Sequence, residues 1–157
     1  MKKLLCVLCM VLSLVACDKQ NENPQNKPVV KIGASFPLTG NMAPIGNAAH
    51  KALVAAITEA NNNTENRYYY KLIVEDDQME PKIINNVANK FIYGDKVDVI
   101  ISFFSVAGRI VAPIAVKNKT LNFSFGYDDV VLQSKYNFQN FLTGTEIPPG
   151  DSIVAET

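Results

Sequence analysis

Two periodicities alternate along the chain from Val29 onward. Val29 to Phe36 is a short run rich in β-formers that stops at Pro37. Ile45, Ala49, Ala52/Leu53, Ala56 and Ile57 then fall on one stripe and predict a helix over Pro44 to Ala60, ended by Asn61 to Asn63. Tyr69 to Glu75 predicts a second strand, closed by Asp76-Asp77-Gln78. Pro81 suits the first position of the next helix, Ile83, Ile84, Val87, Ala88, Phe91 and Ile92 repeat at three and four, and Gly94 is its expected stop. Val97 to Ser102 and Leu121 to Phe125 predict strands three and four. Between them Val106 to Lys117 predicts a helix that Pro113 should kink or end early. Asn137 to Leu142 fits one more short strand, and a further helix begins at Ser152.

Strands that alternate with helices imply right-handed βαβ crossovers and a mostly parallel sheet with helices on both faces, a doubly wound α/β fold. Val97-Asp98-Val99-Ile100-Ile101 is nearly continuous in apolar residues, as a strand buried on both faces should be. Ligands of such sheets bind outside the carboxyl ends of the strands. That rule selects Pro37-Leu38-Thr39-Gly40, Asp76-Asp77-Gln78, Phe103-Phe104-Ser105 and Gly126-Tyr127-Asp128. The rim is apolar and hydroxyl-bearing with one acid cluster, which suits a small molecule better than a phosphate. Phe103-Phe104 fits either this rim or the core.

The N-terminus changes the picture of location. Lys2 and Lys3 precede a stretch, Leu4 to Ala16, that is apolar apart from Ser13. These thirteen residues are too short to span a bilayer, which takes about 20, and they read as an export signal. Leu14-Val15-Ala16-Cys17 resembles the lipobox of bacterial lipoproteins, which implies cleavage after residue 16 and lipidation of Cys17. Two or three acyl chains anchor stably where one is marginal, at about 0.8 kcal/mol per buried CH₂. Cys6 and Cys9 would leave with the signal. Residues 17–28 would then form the lipidated cysteine and a tether that, from Asp18 to Pro28, has no aliphatic or aromatic residue and reaches roughly 15–20 Å as a flexible coil. Asp18 directly after the cysteine resembles the inner-membrane retention signal of some Gram-negative bacteria; in a Gram-positive host the same anchor would sit on the outer face of the cytoplasmic membrane.

Composition and charge narrow the function. At 48% hydrophobic the chain has too much apolar mass for disorder. Fifteen basic and fifteen acidic residues balance, and loss of Lys2 and Lys3 leaves a mature charge of −2, so nucleic acid is not an expected partner. His50 is the single histidine and lies mid-helix. With no cysteine left after processing there is no zinc cluster and no Cys/His nucleophile, and neither G-x-S-x-G, G-x-G-x-x-G nor a Walker A sequence occurs. Glu75, Asp76, Asp77 and Glu80 are better explained as acids before a helix N-terminus than as metal ligands. Two Asn-x-Thr sequons, at Asn62 and Asn118, carry no signal in a bacterial lipoprotein. No enzyme, metal or cofactor is expected.

The ordered set of features resembles the opening of type 1 periplasmic binding proteins, in particular the leucine/isoleucine/valine-binding receptor lipoproteins of ABC importers. The matching pieces are Lys31-Ile32-Gly33, Phe36-Pro37-Leu38-Thr39-Gly40 with Ile45-Gly46, and Val74-Glu75-Asp76-Asp77-Gln78 with Pro81. They continue with Val97 to Ile101, Ser105, Ala112-Pro113-Ile114-Ala115, and Asn122-Phe123-Ser124-Phe125-Gly126. The resemblance implies two lobes that close on an amino acid or a similar small polar solute and present it to a membrane permease. Residues 29–147 would be the N-terminal lobe and residues 148–157 the start of a second, so the chain is expected to be a truncated or fragmentary form with weak or no binding alone.

Carried over by position, the ligand-binding residues are Ile45, Phe104, Ser105, Ser124, Tyr127 and Asp128. Ser105 would hold the ligand carboxylate with N–H groups of the helix from Val106, and Asp128 would meet the α-ammonium by a charge-assisted hydrogen bond. Ile45 stands where the family often has an aromatic wall, Tyr127 where it often has a small residue, and Phe104 where it often has a small hydroxyl residue. Late-returning strands and helices of the family's first lobe are not among residues 29–147, which should leave apolar surface exposed. A sensory or protein-interaction lipoprotein on the same fold is the alternative function. A flavodoxin-like enzyme is disfavoured by the missing phosphate loop.

Overall fold

The structure, a computed structural model, describes Asn23, residues 26–126, Asp128, Val131 and residues 134–139. The expected signal, Cys17, most of the tether, Tyr127 and residues 148–157 lie outside the described residues. Strand β1 (Val29–Phe36) is followed by helix α1 (Ala43–Asn62), β2 (Tyr69–Asp76) and α2 (Pro81–Asn89), which runs into a π-helical turn over Lys90–Asp95. Strand β3 (Val99–Phe103), helix α3 (Phe104–Asn118), β4 (Leu121–Phe125) and β5 (Asn137–Gln139) complete the order. The sheet is parallel throughout, in the order β2-β1-β3-β4-β5.

Alternation along β1 assigns the two faces. Phe91 of the π turn lies over Gly33, so odd positions of β1 look toward α2 and α3. Phe36 contacts the His50 ring of α1, so even positions look the other way. The α2/α3 face holds the core, in which Ile84, Phe91, Ile100, Val111 and Ala115 are each no more than 1% exposed. Each large side chain buried there contributes roughly 1.5–3 kcal/mol. On the other face α1 packs chiefly on β1 and β2. The β3–β5 half of that face is uncovered: Phe123, Phe125 and Phe138 are each 43% exposed. A groove of about 330 Å³ lies there, lined by Phe36, Ala49, Leu53, Ile101, Phe103 and Phe125 among others. The exposed apolar surface expected from the family resemblance is thus present among the described residues.

Element boundaries differ from the sequence expectation chiefly in four places. The segment after β2 stops at Asp95 because Lys96, not Gly94, takes the left-handed conformation (φ 54°) and its neighbour Val97 donates back to the Phe91 carbonyl at 3.0 Å. Strand β3 starts at Val99, two residues late, because Val97 closes that turn. Helix α3 starts at Phe104 rather than Val106, so Ser105 lies inside its first turn. Pro113 does not end α3, which continues to Asn118; Pro113 sits on the exposed face, where the carbonyl of the exposed Arg109 that loses its donor can be hydrated. The expected fifth strand is described only as Asn137–Gln139, the remainder lying outside the described residues.

Candidate ligand-binding site

The connection leaving β1 passes through α1 to β2, and the one leaving β3 passes through α3 to β4. The chain therefore diverges at the carboxyl edge between β1 and β3, which makes this the switch point of the sheet. Three segments meet along that edge: the loop after β1, the β3–α3 junction, and Gly126 with Asp128 beyond β4.

The β3–α3 junction is a sharp corner. Phe103 is still extended (φ −106°, ψ 132°), and Phe104 directly after it has φ +69°. Left-handed backbone at an aromatic residue costs of order 1–3 kcal/mol and persists only when the surroundings impose it. Two contacts impose it here. The Phe104 ring stacks edge-on to Phe103, with centroids 4.6 Å apart. Gly126 lies so close that an added Cβ would stand 2.5 Å from the Ser105 nitrogen. The helix begins immediately, and among the described residues no side chain caps it. Its first N–H groups and half-buried Ser105 thus lie at the edge, where an anion is favoured by the helix dipole.

The loop after β1 is held by the acids of β2. The Asp76 carboxylate accepts from Leu38 N at 2.8 Å, Thr39 N at 3.3 Å, Thr39 Oγ1 at 2.5 Å and Gln78 N at 3.0 Å. Burial pushes its pKa up, but the Thr39 hydroxyl and the backbone N–H groups outweigh it and hold the carboxyl below its usual range. Asp77 is fully buried, accepts from Ser35 Oγ at 2.6 Å and Met79 N at 3.0 Å, and is pushed up by desolvation, with the Asp76 charge adding to the effect. Among the described residues no side chain hydrogen-bonds the N-cap of α2, although its dipole favours acids placed just before it. Left-handed Gln78 and Met79 (φ 53° and 60°) turn their N–H groups back onto the two carboxylates. Glu75 pairs with Lys90, which also reaches Asp95, both at 2.8 Å. No group of three metal-ligating side chains occurs among the described residues.

The expected ligand residues divide by position. Phe104 and Ser105 meet at the corner, and Ile45, 50% exposed, stands in the first turn of α1. Ser124 is only 1% exposed and faces away from the edge, under α3, where an added Cβ on Gly108 would stand 2.2 Å from its Oγ. Its inward face follows from the register Ser102↔Ser124, which puts it on the α2/α3 side of the sheet. Ser124 Oγ finds no partner among the described residues. Asp128 is buried beside the edge and is already engaged: Nε of Arg109 donates to Oδ2 at 2.7 Å and Nη2 donates to the same oxygen. Sequence reasoning missed Arg109, because the helix was expected to start at Val106; only its start at Phe104 puts Ser105 and Arg109 one helical turn apart on a shared face. His50 is half-buried against Phe36, centroids 6.2 Å apart.

A model of the family described as periplasmic binding protein matches residues 29–147. This chain belongs to the periplasmic binding protein family. Leu/Ile/Val-binding protein homolog 2 of Brucella abortus (strain 2308) is 33% identical to it over 116 residues, 73% of this chain and 31% of the relative. The branched-chain amino acid transporter substrate-binding protein of Streptococcus pneumoniae, solved in complex with isoleucine, superposes with a TM-score of 0.65 at 22% identity, over 71% of this chain and 33% of that one. A solute-binding protein of an ABC transporter from Rhodopseudomonas palustris, solved with 3,4-dihydroxybenzoic acid, gives 0.64 at 24% identity, over 71% and 31%. This periplasmic binding protein therefore spans about a third of the length of the relatives it matches. Those relatives are solute-binding proteins rather than enzymes, and periplasmic binding proteins of ABC importers act outside the cytoplasm.

Proposed function

We propose that this protein is the substrate-binding lipoprotein of an ABC importer for an amino acid or a similar small polar solute, and that residues 29–147 form its N-terminal lobe. The observation that carries this reading is the β3–α3 corner: a strained Phe104, Ser105 in the first helical turn, and Gly126 pressed against both, at the switch point of a sheet of this family. Ser105 and the N–H groups around it hold the ligand carboxylate, and Phe104 and Ile45 flank it. The site is half a cleft. Tight small-ligand sites bury about 70–90% of the ligand, so a second lobe closes over this edge in the intact form, and the closed form docks on a membrane permease. Cys17 is the lipidated N-terminus after loss of residues 1–16. Asp18 favours retention in an inner membrane.

Two measurements test this. Mass spectrometry of the lipoprotein isolated from host membranes should show an acylated Cys17 peptide and peptides beyond Thr157. In the intact protein Ser105→Ala should weaken solute binding by about 1–3 kcal/mol in calorimetry, by removing a donor from a buried charge. Unchanged affinity would remove Ser105 from the site.

A further inference from the structure

Resting on that reading of the edge as a solute site, the charge displayed there narrows the solute. The Asp128 side chain, at the position expected to meet an α-ammonium, is only 7% exposed, whereas its partner Arg109 is 66% exposed. Both guanidinium contacts go to one carboxylate oxygen, so the acid is covered and the cation looks outward. Arg109 follows Ser105 by four residues in α3, which places the two on one helix face, and helical side chains lean toward the N-terminus. Asp128 offsets much of the guanidinium's charge, but the outward N–H donors of Arg109 lie on the same face as the first turn and supplement its partial positive charge.

The other described acids near the edge do not restore an ammonium acceptor. Asp76 is committed to Leu38, Thr39 and Gln78, and Asp77 is fully buried against Ser35 and Met79. Glu75 pairs with Lys90, and Glu80 lies beyond the outer strand β2, beside Gly40, Asn41 and Met42 rather than at the β3–α3 corner. The T-shaped Phe103–Phe104 pair supplies apolar surface at the β3–α3 corner. We propose that this site prefers a monocarboxylate with an apolar or aromatic body and no α-ammonium over the corresponding amino acid.

The test is calorimetry on the intact protein with two matched pairs: leucine against 4-methylpentanoate, and phenylalanine against 3-phenylpropanoate. Each pair differs only in the ammonium group. The expected result is at least tenfold tighter binding of the carboxylate in the pair whose body fits. Equal or tighter binding of the amino acid overturns the preference and leaves the solute-site reading standing; no binding of any of the four overturns both. Arg109→Gln should abolish the preference, and Arg109→Lys, which keeps the charge, should retain most of it. A preference that Arg109→Gln leaves unchanged also overturns the proposal.

Discussion

Asp76 at the end of β2 binds Thr39 of the neighbouring loop at both its N–H and its hydroxyl, 37 residues away in sequence, and so ties the outer strand to the β1 loop that borders the candidate site. Because β1 and β2 run in register from Val29↔Tyr69 to Phe36↔Asp76, the two strands finish level and the carboxylate arrives beside the loop.

Asp76→Ala leaves the Leu38 and Thr39 groups without their acceptor and should cost about 1–3 kcal/mol at neutral pH. The folded pKa is depressed below the ordinary 3.8, so this stabilisation is full above that value and is lost as pH falls through the folded pKa. Urea melts of both proteins should therefore converge in strong acid. A constant gap across pH would show that the charge is immaterial.

Asp77 should behave with the opposite sign. Its folded pKa is raised above 3.8, so as pH falls through that raised value toward 3.8 the folded state takes up the proton first and gains stability. Asp77→Asn keeps partners for Ser35 and Met79 without the buried charge. It should be at least as stable as the parent at pH 7 and lack this acid-side gain in thermal melts.

Gly126→Ala should destabilise by about 1–3 kcal/mol, because its Cβ would collide with backbone of Phe104 and Ser105 rather than with a movable side-chain end. Amide exchange should quicken first in the initial turn of α3. Solute affinity should fall together with stability, since the displaced turn carries Ser105.

Gly108→Ala meets the Ser124 hydroxyl and should cost about 1–3 kcal/mol. Ser124→Ala alone should be near neutral, because it deletes a buried hydroxyl with no partner among the described residues. The double variant should recover most of the Gly108→Ala loss, a coupling that a double-mutant cycle in urea measures directly. Additive costs would contradict the packing described between α3 and β4.

Several elements were legible because their signals are local. The β-rich runs Val29–Phe36 and Leu121–Phe125 coincide with β1 and β4, since β-branched or aromatic residues recur along both and their ends are marked by Pro37 and Gly126. The rim segments were found by the same logic, and Phe104 with Ser105 forms the β3–α3 corner at that edge. Helix ends were less legible. Lys96 and Lys119 adopt left-handed caps at φ 54° and 56° where glycine is the usual signal, and Phe104 starts a helix from a backbone region that its side chain disfavours. The two lysine caps are exposed and are closed by backbone hydrogen bonds, from Val97 N to Phe91 O and from Thr120 N to Ala115 O, which no residue type signals in the sequence.

The sequence by itself determined the order of strands and helices, the parallel sheet they make and the edge at which a solute is to be sought, because hydrophobic spacing and turn residues act over a few positions. Only the tertiary structure decided which side chains that edge offers. It buries Ser124 under Gly108, binds Asp128 to Arg109 across 19 residues, and places Asp77 against Ser35 across 42. Those partners are brought together by strand register and helix packing. A carboxylate's availability to a ligand depends on which donors surround it in space, a property that spacing along the chain does not encode.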